Sequence, residues 1–205
     1  MAPEQTRNHA AHKLAERLSA LRIVIACDPE SGGETVLRHL QRSRASVRHV
    51  WPVPDVIGTD ADLVICDLVP RIGRKLPWVP GEPGAALVLV LPQSGIIDLD
   101  EIQAACPDAL LNRPLALPQI DVAVMLALDH FTFGKRQQAR ISRLEENLKA
   151  FRDIERAKQI IMKRDKTDDE GAFTVLRQLA MSRRMTVAAI AGKIIDSEDL
   201  LTYKN

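Results

Sequence analysis

Cysteine is scarce in this chain. Cys27, Cys66 and Cys106 are odd in number, far apart and without CxxC spacing. Such usage excludes a disulfide framework and marks all three as reduced core residues of a cytosolic protein. Long apolar runs are also missing: no stretch reaches the uncharged length that a membrane span needs. The opening "MAPEQTRNHAAHKLAERLSA" has no apolar h-region, which argues against a signal peptide. There is no internal repeat and no low-complexity tract. Net charge is nearly absent as well, at +1.

The distribution of charge says more than its total. Residues 1–134 carry 12 Lys/Arg and 16 Asp/Glu, whereas residues 135–205 carry 16 and 11. A basic C-terminal third fits nucleic-acid contact, and it also fits a solvated helical surface. Hydrophobic residues make up 46%, enough for a globular core and against wholesale disorder.

Strand and helix patterns alternate through the first 120 residues. "LRIVIAC" (21–27) is a continuous β-branched run, as expected of a strand buried on both faces. "SVRHVWP" (46–52), "DLVIC" (62–66), "AALVLVLP" (85–92) and "ALLNRP" (109–114) complete five expected strands. Helices are expected between them, although Pro and Gly in 70–84 argue against one there. The alternation implies a parallel sheet covered by helices on both faces. Ligand sites in such sheets lie at the carboxyl ends of the strands.

Asp28 and Asp67 both fall at such ends. With Arg113-Pro114 after the fifth strand, the segment resembles a response-regulator receiver domain, a flavodoxin-like (CheY-like) doubly wound sheet. The resemblance implies a pocket in which acids hold Mg²⁺, an aspartate accepts phosphate, and a hydroxyl and a lysine contact the phosphoryl oxygens. The chain departs from that set. Cys27-Asp28 supplies one acid of the pair, Leu91 and Pro92 stand near the hydroxyl position with Ser94 out of register, and arginine replaces lysine. Asp67 is therefore expected to be a vestigial phosphoacceptor, with Asp28 and Arg113 as remnants of the pocket.

From Ile120 the pattern becomes helical. Ile141, Leu144, Leu148 and Phe151 step by 3, 4 and 3, an a/d seam that points to dimerisation through a coiled coil. The seam then shifts to Ile154, Ala157 and Ile161. Three short helices follow over the last fifty residues. Thr167 with Glu170 makes a capping-box pattern for the second, and Thr186 caps the third. Their apolar faces can close a bundle too small to be very stable alone. This part has no His, Cys or Gly-rich phosphate loop, and no catalytic group, metal site or cofactor is expected anywhere in the chain.

The C-terminal stretch carries Ile154, Ala157, Lys158, Ile161, Met162 and Arg164, then Ala172, Phe173, Leu176, Arg177, Ala180 and Met181, then Val187, Ile190 and Ala191. These residues resemble an ANTAR domain, the RNA-binding module of the AmiR and NasR transcription antitermination regulators. The glycine usual after the first helix is absent, with Lys166 near its place. The order of parts is similar to that of amidase-operon antiterminators within this family. The resemblance implies a homodimer that binds stem-loops in a nascent leader mRNA, so that the terminator hairpin does not form and RNA polymerase reads through. It also implies a ligand-sensing regulatory protein as partner. Lys158, Lys163, Arg164, Arg177, Arg183 and Arg184 are the candidate RNA contacts. Few aromatics are available for stacking, and Met162, Phe173 and Met181 are expected in the core.

The expected organisation is an N-terminal tail (1–19), a pseudo-receiver domain (20–118), a coiled-coil helix (119–152) and an RNA-binding bundle (153–205). The fold class is α/β plus all-α. The chief rival is a DNA-binding response regulator with a helix-turn-helix at Leu176–Ile195. That helix would present Ala, Ile and Val at its start, which cannot read base edges by hydrogen bonding. A phosphorylation-controlled antiterminator and a protein-interaction adaptor are weaker rivals.

Overall fold

The computed structural model describes residues 16–79 and 82–202. The chain forms two compact units, residues 1–135 and 136–205.

The first unit is built on strands β1 (Arg22–Ala26), β2 (Ser46–His49), β3 (Leu63–Asp67), β4 (Ala86–Val90) and β5 (Ala109–Leu111). All pairings are parallel, in the order β2-β1-β3-β4-β5. This is the flavodoxin-like order, with its switch point between β1 and β3. Side chains alternate between two cores, as a period of two requires. Ile23, Ile25, Leu63, Ile65, Val88 and Val90 face one layer; Val24, Ala26, Val64, Cys66, Leu87 and Leu89 face the other. Uninterrupted apolar runs follow from that double burial.

Helices α1 (Glu34–Gln41), α2 (Ile72–Lys75) and α3 (Leu99–Ala105) join the strands. The expected helix between the second and third strands is missing. Pro52 and Pro54 interrupt that connection, and proline lacks the donor a helix interior needs. Its Ile57 still plugs the core. In the Pro/Gly-rich 70–84 segment, α2 is a single four-residue turn. Residues 16–19 are helical, and Leu18 is buried in the core, so the last part of the expected tail belongs to the domain. Residues 1–15 lie outside the described residues.

Helix α4 (Leu117–Asp165) is continuous over 49 residues. Its first turns bury Ile120, Ala123, Val124, Ala127 and Leu128 in the sheet's core. Ile141, Leu144, Leu148 and Phe151 are 48–63% exposed. Further on, Ala157 and Ile161 are fully buried in the second unit. The shifted apolar register therefore packs the bundle rather than extending the seam.

The second unit adds α5 (Asp169–Arg183) and α6 (Val187–Thr202). Its core holds Ala157, Ile161, Ala172, Leu176, Ala180, Ile190, Ala191 and Ile195. Half of these are alanines, which let three short helices approach closely. Asp168, not Thr167, caps α5: its carboxylate accepts from the Gly171 amide at 2.8 Å. The residue three positions on is then Gly171, which has no side chain to reach back, so the expected capping box does not form. Gly171 lies against the Thr167 hydroxyl, which a Cβ at this position would displace. Thr186 caps α6 as expected, accepting from the Ala189 amide at 3.2 Å.

The absent glycine also has a structural answer. Lys166 adopts the left-handed conformation (φ +50°) that glycine takes most readily. Arg184 does the same after α5, its amide reaching the Ala180 and Met181 carbonyls.

Candidate RNA interface and the strand-end pocket

At the carboxyl edge of the sheet, Asp28, Asp67 and Arg113 come together, as their strand-end positions dictate. They line an open cavity of about 770 Å³ with Thr35, Trp51, Gln93 and Ser94. The Arg113 guanidinium meets Asp67 Oδ1 at 2.7 Å. It also donates to the Ser31 carbonyl at 2.7 Å and the Leu91 carbonyl at 3.2 Å. Asp67 Oδ2 accepts from the Asp28 amide at 2.9 Å. Both side chains are nearly buried, at 7% and 10% exposure. Both carboxylate oxygens of Asp67 thus have a partner, and the arginine fork ties three loops together.

A receiver that carries phosphate would hold Mg²⁺ here, and these residues do not fit that cation. Cys27 stands beside Asp28 in place of a second acid. The Asp28 carboxylate instead closes its own turn, accepting from the Glu30 amide at 3.0 Å and the Ser31 hydroxyl at 2.9 Å. Arg113 already sits on Asp67. Among the described residues, no three His, Cys, Asp or Glu side chains converge as a metal site would require.

Cys27 and Cys66 are fully buried, as expected. Burial, reinforced by the Asp67 carboxylate, pushes both thiols well above the ordinary cysteine range, so they stay protonated and unreactive. Cys106 departs from the expectation of a core position: it is exposed, in left-handed conformation at the end of α3.

Of the candidate contacts, Lys163 and Arg164 at the end of α4, Arg177 and Arg183 on α5, and Arg184 beyond it are exposed. Arg164 is held by Asp165 at 2.7 Å, which raises the arginine's affinity for its proton and lowers the aspartate's pKa. Among the described residues, Lys163, Arg177, Arg183 and Arg184 have no ion-pair partner. Lys158 has a different job from the expected RNA contact. It is buried, with Nζ 2.6 Å from Asp169 and 2.9 Å from Glu155. It fastens α4 to the start of α5. Hydrogen bonds to Asp169, then Glu155, raise its pKa above the usual lysine range. Its contribution is therefore complete below that range and is lost only as strongly alkaline pH is passed.

Two apolar residues expected in the core stand outside it. Phe173 is 43% exposed and Met181 72%. Ala172, Leu176 and Ala180 form the buried line of α5, and residues 173, 177 and 181 run parallel to it, one position around the helix. Met162 does pack against the core. The four-residue spacing from Ala172 is the signal that assigns Phe173 and Met181 to the neighbouring stripe.

Residues 142–195 match the ANTAR domain family. The C-terminal part of the chain thus matches the ANTAR domain, and a receiver-like α/β fold precedes it. Among characterised proteins the chain is similar to the aliphatic amidase regulator of Pseudomonas aeruginosa, 22% identical over 194 residues, which span 92% of this chain and 98% of that protein. Solved structures similar to it include the receiver domain of a LuxO repressor protein from Vibrio parahaemolyticus (14% identity, 58% of this chain and 95% of that one, TM-score 0.40). Another is the response regulator StyR (12% identity, 87% of this chain and 100% of that one, TM-score 0.49). Among the described residues, no helix is long and apolar enough to cross a membrane.

Proposed function

We propose that this protein is a cytoplasmic RNA-binding antiterminator. It binds stem-loops in a nascent leader transcript as a dimer and keeps the terminator hairpin from forming, so RNA polymerase reads through. The observation that carries this reading is the ANTAR bundle, in which Lys163, Arg177, Arg183 and Arg184 are exposed and, among the described residues, without carboxylate partners. We take the pseudo-receiver as 20–118 with Leu18 and the first turns of α4 packed on it, followed by a coiled-coil helix and an RNA-binding bundle (153–205). Asp67 is a vestigial phosphoacceptor, and control passes through a sequestering ligand-sensor protein that docks on the receiver-like domain. The Arg113–Asp67 pair and the single pocket acid support control without phosphate. The likeness over nearly the whole length of an amidase regulator supports a sensor partner.

The test is a salt titration against the leader RNA of the protein's own operon, with duplex DNA of the same region and a loop-scrambled RNA as controls. Tight binding to the leader alone is expected, weakening linearly in log–log form with salt. Neutralising Arg183 should reduce the slope by about 0.7–0.9. Preference for duplex DNA would overturn the reading.

Dimerisation has its own test. In the Leu144→Ser/Leu148→Ser variant the native mass is expected to fall from two chains to one, because two a/d contacts lose their apolar surface. A wild-type mass of one chain would remove the dimer from the proposal.

A further inference from the structure

We infer that Phe173, Arg177 and Met181 form a base-stacking stripe on α5 that takes an unpaired loop base of the RNA. The inference rests on the antiterminator reading and names the part of the RNA that this face receives. The three residues are spaced four apart, so they share one side of the helix. The bundle core closes without Phe173 and Met181, neither of which belongs to its packed cluster. The chain holds only seven aromatic residues, and one of them is displayed here at 43% exposure.

The charge on this face selects the occupant. Arg177 lies between the two apolar side chains, exposed and, among the described residues, without an ion-pair partner. Arg184 follows one turn beyond Met181 and is also exposed. Asp169, one turn before Phe173, is the acid in this row, and its charge is met by Lys158 at 2.6 Å. An apolar surface alternating with arginine suits a nucleobase and its phosphates better than a purely apolar protein groove. Unpaired bases stack on aromatic rings and guanidinium planes, whereas paired bases inside a duplex are closed to such contact. The ring is the platform, Met181 flanks it, and Arg177 reaches the phosphate or stacks beside the base.

The experiment uses the full-length protein and a labelled stem-loop from its operon's leader transcript. Phe173→Ala is expected to weaken binding about 5- to 150-fold, the range of one stacked base, without changing the salt slope. Phe173→Tyr should restore most of the affinity. Arg177→Ala should weaken binding and reduce the slope by about 0.7–0.9. Tryptophan fluorescence in Phe173→Trp should be quenched on adding the stem-loop, relative to the wild type, and not quenched when the loop bases are replaced by abasic linkers.

Unchanged affinity in Phe173→Ala, alongside tight wild-type binding, would overturn the stripe and leave the antiterminator reading intact. Loss of the dimer mass in Phe173→Ala with undiminished RNA affinity would also overturn it and make the face a protein contact. No binding by the wild type at any salt would instead overturn the antiterminator reading itself.

Discussion

Replacing Arg113 with alanine is expected to destabilise the receiver-like unit by about 3–5 kcal/mol, the usual effect of leaving one half of a buried ion pair uncompensated. The guanidinium is 7% exposed and contacts Asp67, Ser31 and Leu91. Its loss leaves Asp67 Oδ1 without a donor and frees three loops at the strand ends. Asp67→Ala should cost a similar amount, since a buried positive charge then faces only carbonyls. The double variant Arg113→Met/Asp67→Leu should recover most of the loss, because well-packed apolar replacements of buried pairs are commonly neutral or stabilising. Urea unfolding followed by Trp51 and Trp78 fluorescence reads this unit alone, since both tryptophans lie in it. If Arg113→Ala unfolds at the wild-type midpoint, the pair is not a structural clasp. Incubation of the wild type with acetyl phosphate and Mg²⁺ should leave its mass unchanged. A gain of one phosphoryl group lost in Asp67→Ala would make the site live.

Leu176→Ala is the second large effect. Leu176 is fully buried at the centre of a bundle whose other core residues are mainly alanine and isoleucine. Deleting it should cost about 2–5 kcal/mol through lost transfer energy and the cavity left behind. Small units bury a small fraction of their surface and have little stability to lose. The expected result is loss of hydrogen-exchange protection throughout α5 and α6, and loss of RNA binding at every salt concentration. Phe173→Ala should retain full protection, because its ring is outside the core. Wild-type protection in Leu176→Ala would show that the core lies elsewhere.

Much of the fold was legible because double burial leaves a plain mark. The runs at 21–27, 62–66 and 85–92 could sit only in a sheet covered on both faces, and β1, β3 and β4 fall within a residue or two of them. Strand ends were less legible, since pairing and not composition ends a strand: the run at 46–52 is a strand only to His49. Caps were legible to within one residue, since Thr167, Asp168 and Asp169 are all competent and only backbone geometry selects Asp168. The roles of charged residues were the least legible. Lys158 and Arg177 look alike in sequence, yet one is buried between Glu155 and Asp169 and the other is open to solvent.

The sequence by itself determined the alternating architecture, the pocket's three charged residues, the a/d seam and the ANTAR pattern, because periodicity and residue chemistry are local. Tertiary structure decided which charges are spent on the fold and which remain for a ligand. Whether Arg113 clasps Asp67, Lys158 fastens two helices or Phe173 faces outward depends on distances between segments far apart in the chain. Those distances exist only once the helices and strands have packed.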